Sequence, residues 1–261
     1  MPVLEREDSQ IYYEGHGAGY PVLLFAPGFL SSRIERWRTN PARPGVPQDW
    51  LDPTAELADR FWVVAMDVRN AGRSRGVVGP ADGWHTYIDD ALALLGHLGI
   101  AHCHVMGACI GVSFAFALAQ AAPGLVSAMV LQNPIGLTAG NRAKLDEEFD
   151  GWVNEVRNLP GVDSRVLPAL GKRLFGGDFI FSVSRDFVAA CKIPMLLMPG
   201  DDVVHPAETS TEISRLAPHA EILSPWKGPQ LRQAAMDRVR AFLVAHEGVR
   251  GPSPPEVGDE R

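Results

Sequence analysis

The chain has 261 residues, 46% of them hydrophobic and 21% charged, which is enough for one large α/β domain or two small ones. A formal net charge of −7 without a basic stripe disfavours nucleic acid and acidic membrane surfaces as partners. No stretch approaches the ~18–20 uninterrupted apolar residues of a membrane span, and the opening MPVLEREDSQ lacks a basic-then-apolar signal pattern, so a cytoplasmic location is expected.

Short apolar runs alternate with helical patterns, and no internal repeat is visible. Ile11–Tyr13 reads as an antiparallel strand at a sheet edge. Tyr20–Ala26 (YPVLLFA) reads as a buried strand ending at Pro27-Gly28. Ser31–Asp52, with Arg33, Arg36, Trp37, Arg38, Trp50 and several prolines, has no period and reads as a long ordered loop. Phe61–Met66 is a second buried strand and ends at Asp67. Tyr87–Leu98 places Ile88, Leu92, Leu95 and Leu98 on one helical face. His102–Met106 is a strand, and Ile110–Ala121 is a helix apolar nearly all round, as a helix buried against a sheet must be.

Val126–Leu131 is the next strand, followed after a long interval by Pro194–Met198 and by the weaker Ala220–Leu223. Ala207–Leu216 and Leu231–Leu243 are amphipathic helices. The interval is an insertion: Glu147–Val156 suits a helix, and Phe175–Phe187 is aromatic and irregular. A long insertion above one edge of a parallel sheet is expected to act as a lid. The pattern predicts an α/β fold with a mostly parallel sheet of about eight strands flanked by helices. Residues 1–133 and 193–247 form its core, 134–192 the lid, and 248–261 a disordered tail.

Three cysteines, Cys103, Cys109 and Cys191, cannot all pair within one chain, and their apolar surroundings do not suggest a disulfide framework. No CxxC or HExxH spacing occurs, so no metal is expected, and no cofactor is implied. Cys109 is singular because it lies in Gly107-Ala108-Cys109-Ile110-Gly111, where a strand runs directly into a helix. A tight strand-to-helix turn strains its central residue and needs small neighbours two positions away. The helix N-terminus beneath such a side chain favours a thiolate. Cys103 and Cys191 have no such setting and read as buried hydrophobes.

On these residues the chain resembles the α/β-hydrolase family across roughly residues 20–245. Pro27-Gly28-Phe29 sits where the family carries His-Gly-x, and Asp67-Val68-Arg69-Asn70-Ala71-Gly72-Arg73-Ser74 resembles its Asp-x-Arg-Gly-x-Gly-x-Ser turn. Gly107–Gly111 is similar to its nucleophile elbow, with cysteine for the commoner serine. Pro199–Pro206 resembles its acid loop, where the acid four residues before the proline is Asp202. The resemblance implies a nucleophile at Cys109, an acid at Asp202, and an oxyanion hole from the N–H groups of Phe29 and Ile110.

The family's histidine normally follows the last strand. Here that segment reads Ala220-Glu221-Ile222-Leu223-Ser224-Pro225-Trp226-Lys227-Gly228-Pro229-Gln230 and contains none. His205, three residues after Asp202, either faces the thiol as its base, or only caps the helix starting near Pro206, or points to solvent. Lys227 and Gln230 occupy the histidine's usual place, and His246 lies beyond the last helix. His104, inside a strand, reads as a core histidine. His85, Arg36, Phe179 and Trp226 are the candidate substrate-binding residues, with Arg36 suited to a substrate carboxylate and the phenylalanines of the insertion suited to an apolar pocket.

The leading functional expectation is a hydrolase that cleaves a small ester, thioester or lactone through an acyl-enzyme on Cys109. Acyl transfer or C–C cleavage on the same scaffold is a second reading, and a non-catalytic small-molecule-binding homologue a third. A small molecule is the expected partner, with no nucleic acid and no membrane, and a homodimer is left open.

Overall fold

The structure is a computed structural model and describes residues 2–40, 46 and 50–248. The expected tail from residue 249 onward, and part of the loop between Asn40 and Trp50, lie outside the described residues. The strands are β1 (Val3–Glu5), β2 (Ser9–His16), β3 (Tyr20–Phe25), β4 (Phe61–Met66), β5 (Arg75–Gly76), β6 (Cys103–Ala108), β7 (Val126–Gln132), β8 (Met195–Met198) and β9 (Glu221–Ile222). The helices are α1 (Pro53–Glu56), α2 (Trp84–His97), α3 (Ile110–Ala121), α4 (Arg142–Val156), α5 (Leu167–Phe175), α6 (Arg185–Ala190), α7 (Ala207–Leu216) and α8 (Arg232–Ala245).

All nine strands join one sheet in the order β1-β2-β4-β3-β6-β7-β8-β9, with β5 also paired to β2. Pairings from β4 through β9 are parallel, and those made by β2 are antiparallel. β3, β4 and β6 are buried along their whole length. Alternate side chains enter two different cores, with Leu23, Phe25, Val64 and Val105 on one face and Val22, Leu24, Val63 and Met106 on the other. Burial on both faces is why these runs are apolar throughout instead of alternating.

Ala91 and Leu94 of α2, Phe114 and Leu118 of α3 and Ile213 of α7 close the first core. Met236, Val239 and Phe242 of α8 close the second. Between β7 and β8, helices α4, α5 and α6 carry the chain above the sheet's C-terminal edge. Their Leu145, Trp152, Leu170 and Leu174 belong to the first core and do not close one of their own.

The sequence pattern and the structure differ at several places. The expected edge strand Ile11–Tyr13 is the middle of an eight-residue strand, and the edge is formed by β1. The short β1 and β5 carry no apolar run that would announce them. Helix α2 begins at Trp84 because the Gly83 N–H donates to Thr86 Oγ1 at 3.2 Å, closing its first turn. Helix α1 starts at the cap Asp52, whose side chain accepts the Thr54 N–H at 3.0 Å, with Pro53 as first residue.

Two buried carboxylates hold the loops that carry the site. Asp90 accepts Arg69 Nε and Nη2 at 2.9 Å each and the Ser9 hydroxyl at 3.0 Å. This ties the turn after β4 to α2. Removing one partner of such a buried pair costs about 3–5 kcal/mol. Asp67 accepts the backbone N–H of Ile34 at 2.8 Å and of Arg73 at 2.9 Å, so the turn after β4 also fixes the segment after β3. Among the described residues no helix is long and apolar enough to cross a membrane.

Candidate active site

Cys109 joins β6 to α3 with φ 56° and ψ −121°, a left-handed conformation that a residue with a Cβ adopts only under constraint. The two glycines supply that constraint. A Cβ at Gly107 would lie 2.2 Å from the Gly111 carbonyl oxygen, and one at Gly111 would lie 2.1 Å from that of Phe25. Only hydrogen fits at either place, so strand and helix approach closely and the Cys109 side chain is directed above the sheet edge. The Cys109 N–H donates to the Gln132 carbonyl at 3.1 Å, locking the turn to β7.

The loop from β8 to α7 brings two side chains to the same place. Asp202 Oδ1 accepts the N–H groups of Val204 and His205 at 2.9 Å each. His205 Nδ1 lies 2.9 and 2.8 Å from the two carboxylate oxygens. With Nδ1–H given to Asp202, the free lone pair of the neutral ring is on Nε2. Nε2 is buried and has no hydrogen-bond partner among the described residues. The His205 ring and the Cys109 thiol line the same cavity, and their charges influence one another. Gly200 is required beneath this loop, since a Cβ there would lie 2.2 Å from the His205 carbonyl oxygen.

The charges follow from this arrangement. Burial pushes the Cys109 thiol up, but the facing His205 and the N–H groups of Gly28 and Ile110 outweigh it and bring the thiol below its ordinary value. Burial draws His205 down, yet the thiolate and Asp202 raise it to about 9. Burial also opposes ionisation of Asp202, and the His205 and Val204 donors overcome it, holding the carboxyl well below the usual range. Such a pair titrates as a unit, and both shifts favour the thiolate–imidazolium form.

The turn after β3 closes the other side. Gly28 (φ 117°) and Phe29 (φ 56°) open a short helical turn, Phe29–Ser31. Phe29 and Ile110 are each the first residue of a helical segment, so their N–H groups have no acceptor within it. The Gly28 N–H reaches the sulfur itself, and Phe29 follows on the same turn. Phe175 of α5 stacks on Phe29 at 4.3 Å between ring centroids.

A cavity of about 390 Å³ lies between these loops. Cys109, His205, Gly28, Phe29 and Arg36 line it, with Thr39, Asn40, Trp50, Lys144, Glu148 and Val204. No group of three or more His, Cys, Asp or Glu among the described residues is placed to hold a metal ion.

Residues 21–165 match the sequence model of the alpha/beta hydrolase fold family. The chain belongs to that family. Over 133 residues it is 32% identical to RutD of Azorhizobium caulinodans, named as a candidate carbamate hydrolase. That match takes in 51% of this chain and 44% of the relative, less than half its length. The esterase RhEst1 from Rhodococcus sp. ECU1013 has a similar structure, with a TM-score of 0.66, 17% identity, and coverage of 94% of this chain and 98% of that one. The enol-lactonase from Burkholderia xenovorans LB400 has a TM-score of 0.64 at 18% identity, covering 93% and 100%. At these identities the likeness is one of fold.

In this alpha/beta hydrolase, the segment after β9 that the resemblance would furnish with a histidine braces the acid loop instead. Trp226 Nε1–H donates to the Pro199 carbonyl at 2.9 Å, and Lys227 is ion-paired with Asp201. Three expected substrate contacts do not line the cavity. Trp226 is held in the second core by that bond. Phe179 is buried beneath the Arg185 guanidinium, its carbonyl accepting the Leu137 N–H. His85 sits at the start of α2 against Gly83. The other insertion phenylalanines pack on one another and on the main core, Phe175 against Phe149, Phe181 and Phe29.

The remaining histidines are placed elsewhere. His104 lies between Tyr20 and Phe61. His246 Nδ1 lies 2.8 Å from the Phe242 carbonyl. Trp50, which meets His205 edge-on at 5.2 Å, was visible in the sequence only as part of an aperiodic loop. Lys144 and Glu148 form a 3.2 Å ion pair on α4. Spacing of four residues is also what a solvated helix face looks like, so the sequence offered no signal that they face a cavity.

Proposed function

We propose that this chain is a cysteine hydrolase that cleaves small esters, thioesters or lactones. The observation that carries the reading is Cys109, held at φ 56° with its thiol against an imidazole whose far nitrogen is given to Asp202. The Cys109 thiolate adds to the substrate carbonyl. The N–H groups of Phe29 and Ile110 receive the oxyanion, and His205 Nε2–H protonates the leaving alkoxide or thiolate. The resulting neutral imidazole then takes a proton from water, whose oxygen attacks the thioester. The acid is released, thiolate and imidazolium are restored, and the net change is addition of one water across the acyl bond. The relative named as a candidate carbamate hydrolase would act at a carbonyl too, which accords with this class of chemistry.

In this reading residues 134–192 serve as the lid over a core of 1–133 and 193–247, because α4 of that segment supplies Lys144 and Glu148 to the cavity wall. The test is mass spectrometry of the protein quenched during turnover of p-nitrophenyl acetate. An acetyl adduct on Cys109 that is absent from Cys109→Ala, with turnover lost in that variant, is expected. An adduct on another residue, or undiminished turnover by Cys109→Ala, sinks the reading.

A further inference from the structure

We infer that helices α4 and α5 hold the oxyanion turn in its reactive shape, with Glu155 and Phe175 as positioning residues for the Phe29 N–H. This rests on the cysteine-hydrolase reading and adds to it the source of the turn's geometry.

The turn needs holding. Gly28 (φ 117°) and Phe29 (φ 56°) are both left-handed. Glycine accepts that conformation, but an aromatic residue keeps it only where its surroundings impose it. The Phe29 N–H lies in the peptide plane between the two, so a change in either backbone swings the donor. Hydrogen bonds from the core reach the turn at its end. Ser32 Oγ donates to the Ala26 carbonyl at 2.6 Å, and the Ser32 carbonyl accepts the Val68 N–H at 3.1 Å. Leu30 is buried in the first core.

Phe29 and Ser31, on either side of Leu30, are gripped from the insertion. The Phe175 ring, at the end of α5, lies on the Phe29 ring at 4.3 Å between centroids, with 17° between their planes. Both residues are buried. The Ser31 hydroxyl donates to Glu155 Oε2 of α4 at 2.6 Å, a short bond to a charged acceptor. The two helices are joined to each other, since Arg142 Nη1 of α4 donates to the Phe175 carbonyl at 2.7 Å. Trp84 Nε1–H donates to the Leu174 carbonyl at 3.1 Å and fixes α5 to α2 of the core.

Neither Glu155 nor Phe175 lines the cavity, so neither is placed to touch the substrate. Glu155 also favours the charge of Arg36. Glu155→Gln separates that effect from the bond to Ser31, because it removes the charge and keeps an acceptor oxygen. An oxyanion hole acts only once the thiolate has added to the carbonyl. Loss of its geometry therefore lowers kcat and leaves ground-state binding alone.

The experiment measures kcat and KM for p-nitrophenyl acetate, and Ki for 1,1,1-trifluoroacetone, in Phe175→Leu, Glu155→Leu, Glu155→Gln and Ser31→Ala. The Cys109 thiolate adds to the ketone carbon and the carbonyl electron pair passes to its oxygen, so the hemithioketal carries the charge that the turn receives. Phe175→Leu is expected to lower kcat roughly tenfold and Glu155→Leu about threefold or more, with KM within about twofold and the ketone's Ki rising in step. Glu155→Gln should recover most of the lost rate. Ser31→Ala should match Glu155→Leu, and the two combined should lose no more than either alone. The Ser31–Glu155 bond is partly exposed, so this second pair of variants tests the inference even where Phe175→Leu fails to fold. Unchanged kcat in Glu155→Leu and Ser31→Ala, a loss confined to KM, or a fall in kcat with the ketone's Ki unmoved overturns the positioning role while Cys109 acylation still stands. A ketone that forms no adduct with Cys109 of the unaltered protein defeats the underlying hydrolase reading, and this inference with it.

Discussion

Asp202 and His205 lie three residues apart on one loop, and the carboxylate holds the imidazole Nδ1–H at 2.8 Å while also taking the histidine's own N–H at 2.9 Å. Acid and base are therefore a single local unit, oriented before any contact with the sulfur. Asp202→Asn should keep part of the backbone bonding but lose the charge that fixes the tautomer. The expected loss in kcat is roughly 10²–10⁴-fold, with KM little changed. The rate of iodoacetamide alkylation at Cys109 should shift to higher pH at the same time. An unshifted alkylation profile would separate Asp202 from the ion pair.

The pH dependence of kcat/KM follows from the same pair. Cys109 lies below its ordinary value, so the acid limb of activity should lie below the usual thiol range. His205, raised to about 9, must carry the proton for the leaving group, so activity should fall again as pH rises through that region. Both limbs belong to the coupled pair. A rate profile that keeps climbing beyond pH ~10, as for a simple thiol reacting through hydroxide, would exclude the imidazolium as proton donor.

Much of this site is legible in the sequence because its parts are local. Gly107-Ala108-Cys109-Ile110-Gly111 announces its turn through the glycines, and a Cβ at either would strike backbone 2.2 or 2.1 Å away. Asp202 and His205 are close in sequence, so their pairing needs no knowledge of the fold. Arg36 was suggested by its chemistry, but its passage over Gly28 depends on the Asp67 bond to Ile34 from another strand end. Trp50, Lys144 and Glu148 converge from separate segments, and nothing in their own neighbourhoods distinguishes a cavity wall from a solvated face. The phenylalanines of the insertion mislead for a related reason. Packing among aromatic rings and packing around a ligand use the same side chains, and Phe175 is committed to Phe29, Phe149 and Phe181.

The two glycines of the turn give a stability prediction that is independent of chemistry. Gly107→Ala and Gly111→Ala must each displace backbone, because the obstructing atoms are carbonyl oxygens and not flexible side-chain ends. Each substitution should cost about 3 kcal/mol or more, at the upper end of overpacking effects. Urea unfolding followed by circular dichroism reads this as a lower midpoint with an unchanged slope. Gly151→Ala, where no heavy atom lies within 4 Å of the added Cβ, lies inside α4 and should be neutral or slightly stabilising, since alanine is the better helix former.

His104 predicts how the fold fails in acid. The ring is fully buried in β6 between Tyr20 and Phe61, and neither nitrogen has a hydrogen-bond partner among the described residues. Burial, reinforced by the nearby His246, lowers its pKa to about 4. Below the ordinary histidine value the unfolded chain takes up a proton that the folded one refuses. Stability is therefore undiminished above pH ~6.5 and falls as pH drops toward 4, by on the order of 3 kcal/mol. Below that the folded histidine protonates as well, and this source of pH dependence ends. His104→Leu removes the titrating group and the two orphaned nitrogens from an apolar site, so it should flatten the acid limb without lowering stability at pH 7. Thermal unfolding of both proteins between pH ~4 and 7.5 decides the matter. Parallel acid limbs in the two would place the proton uptake on another group.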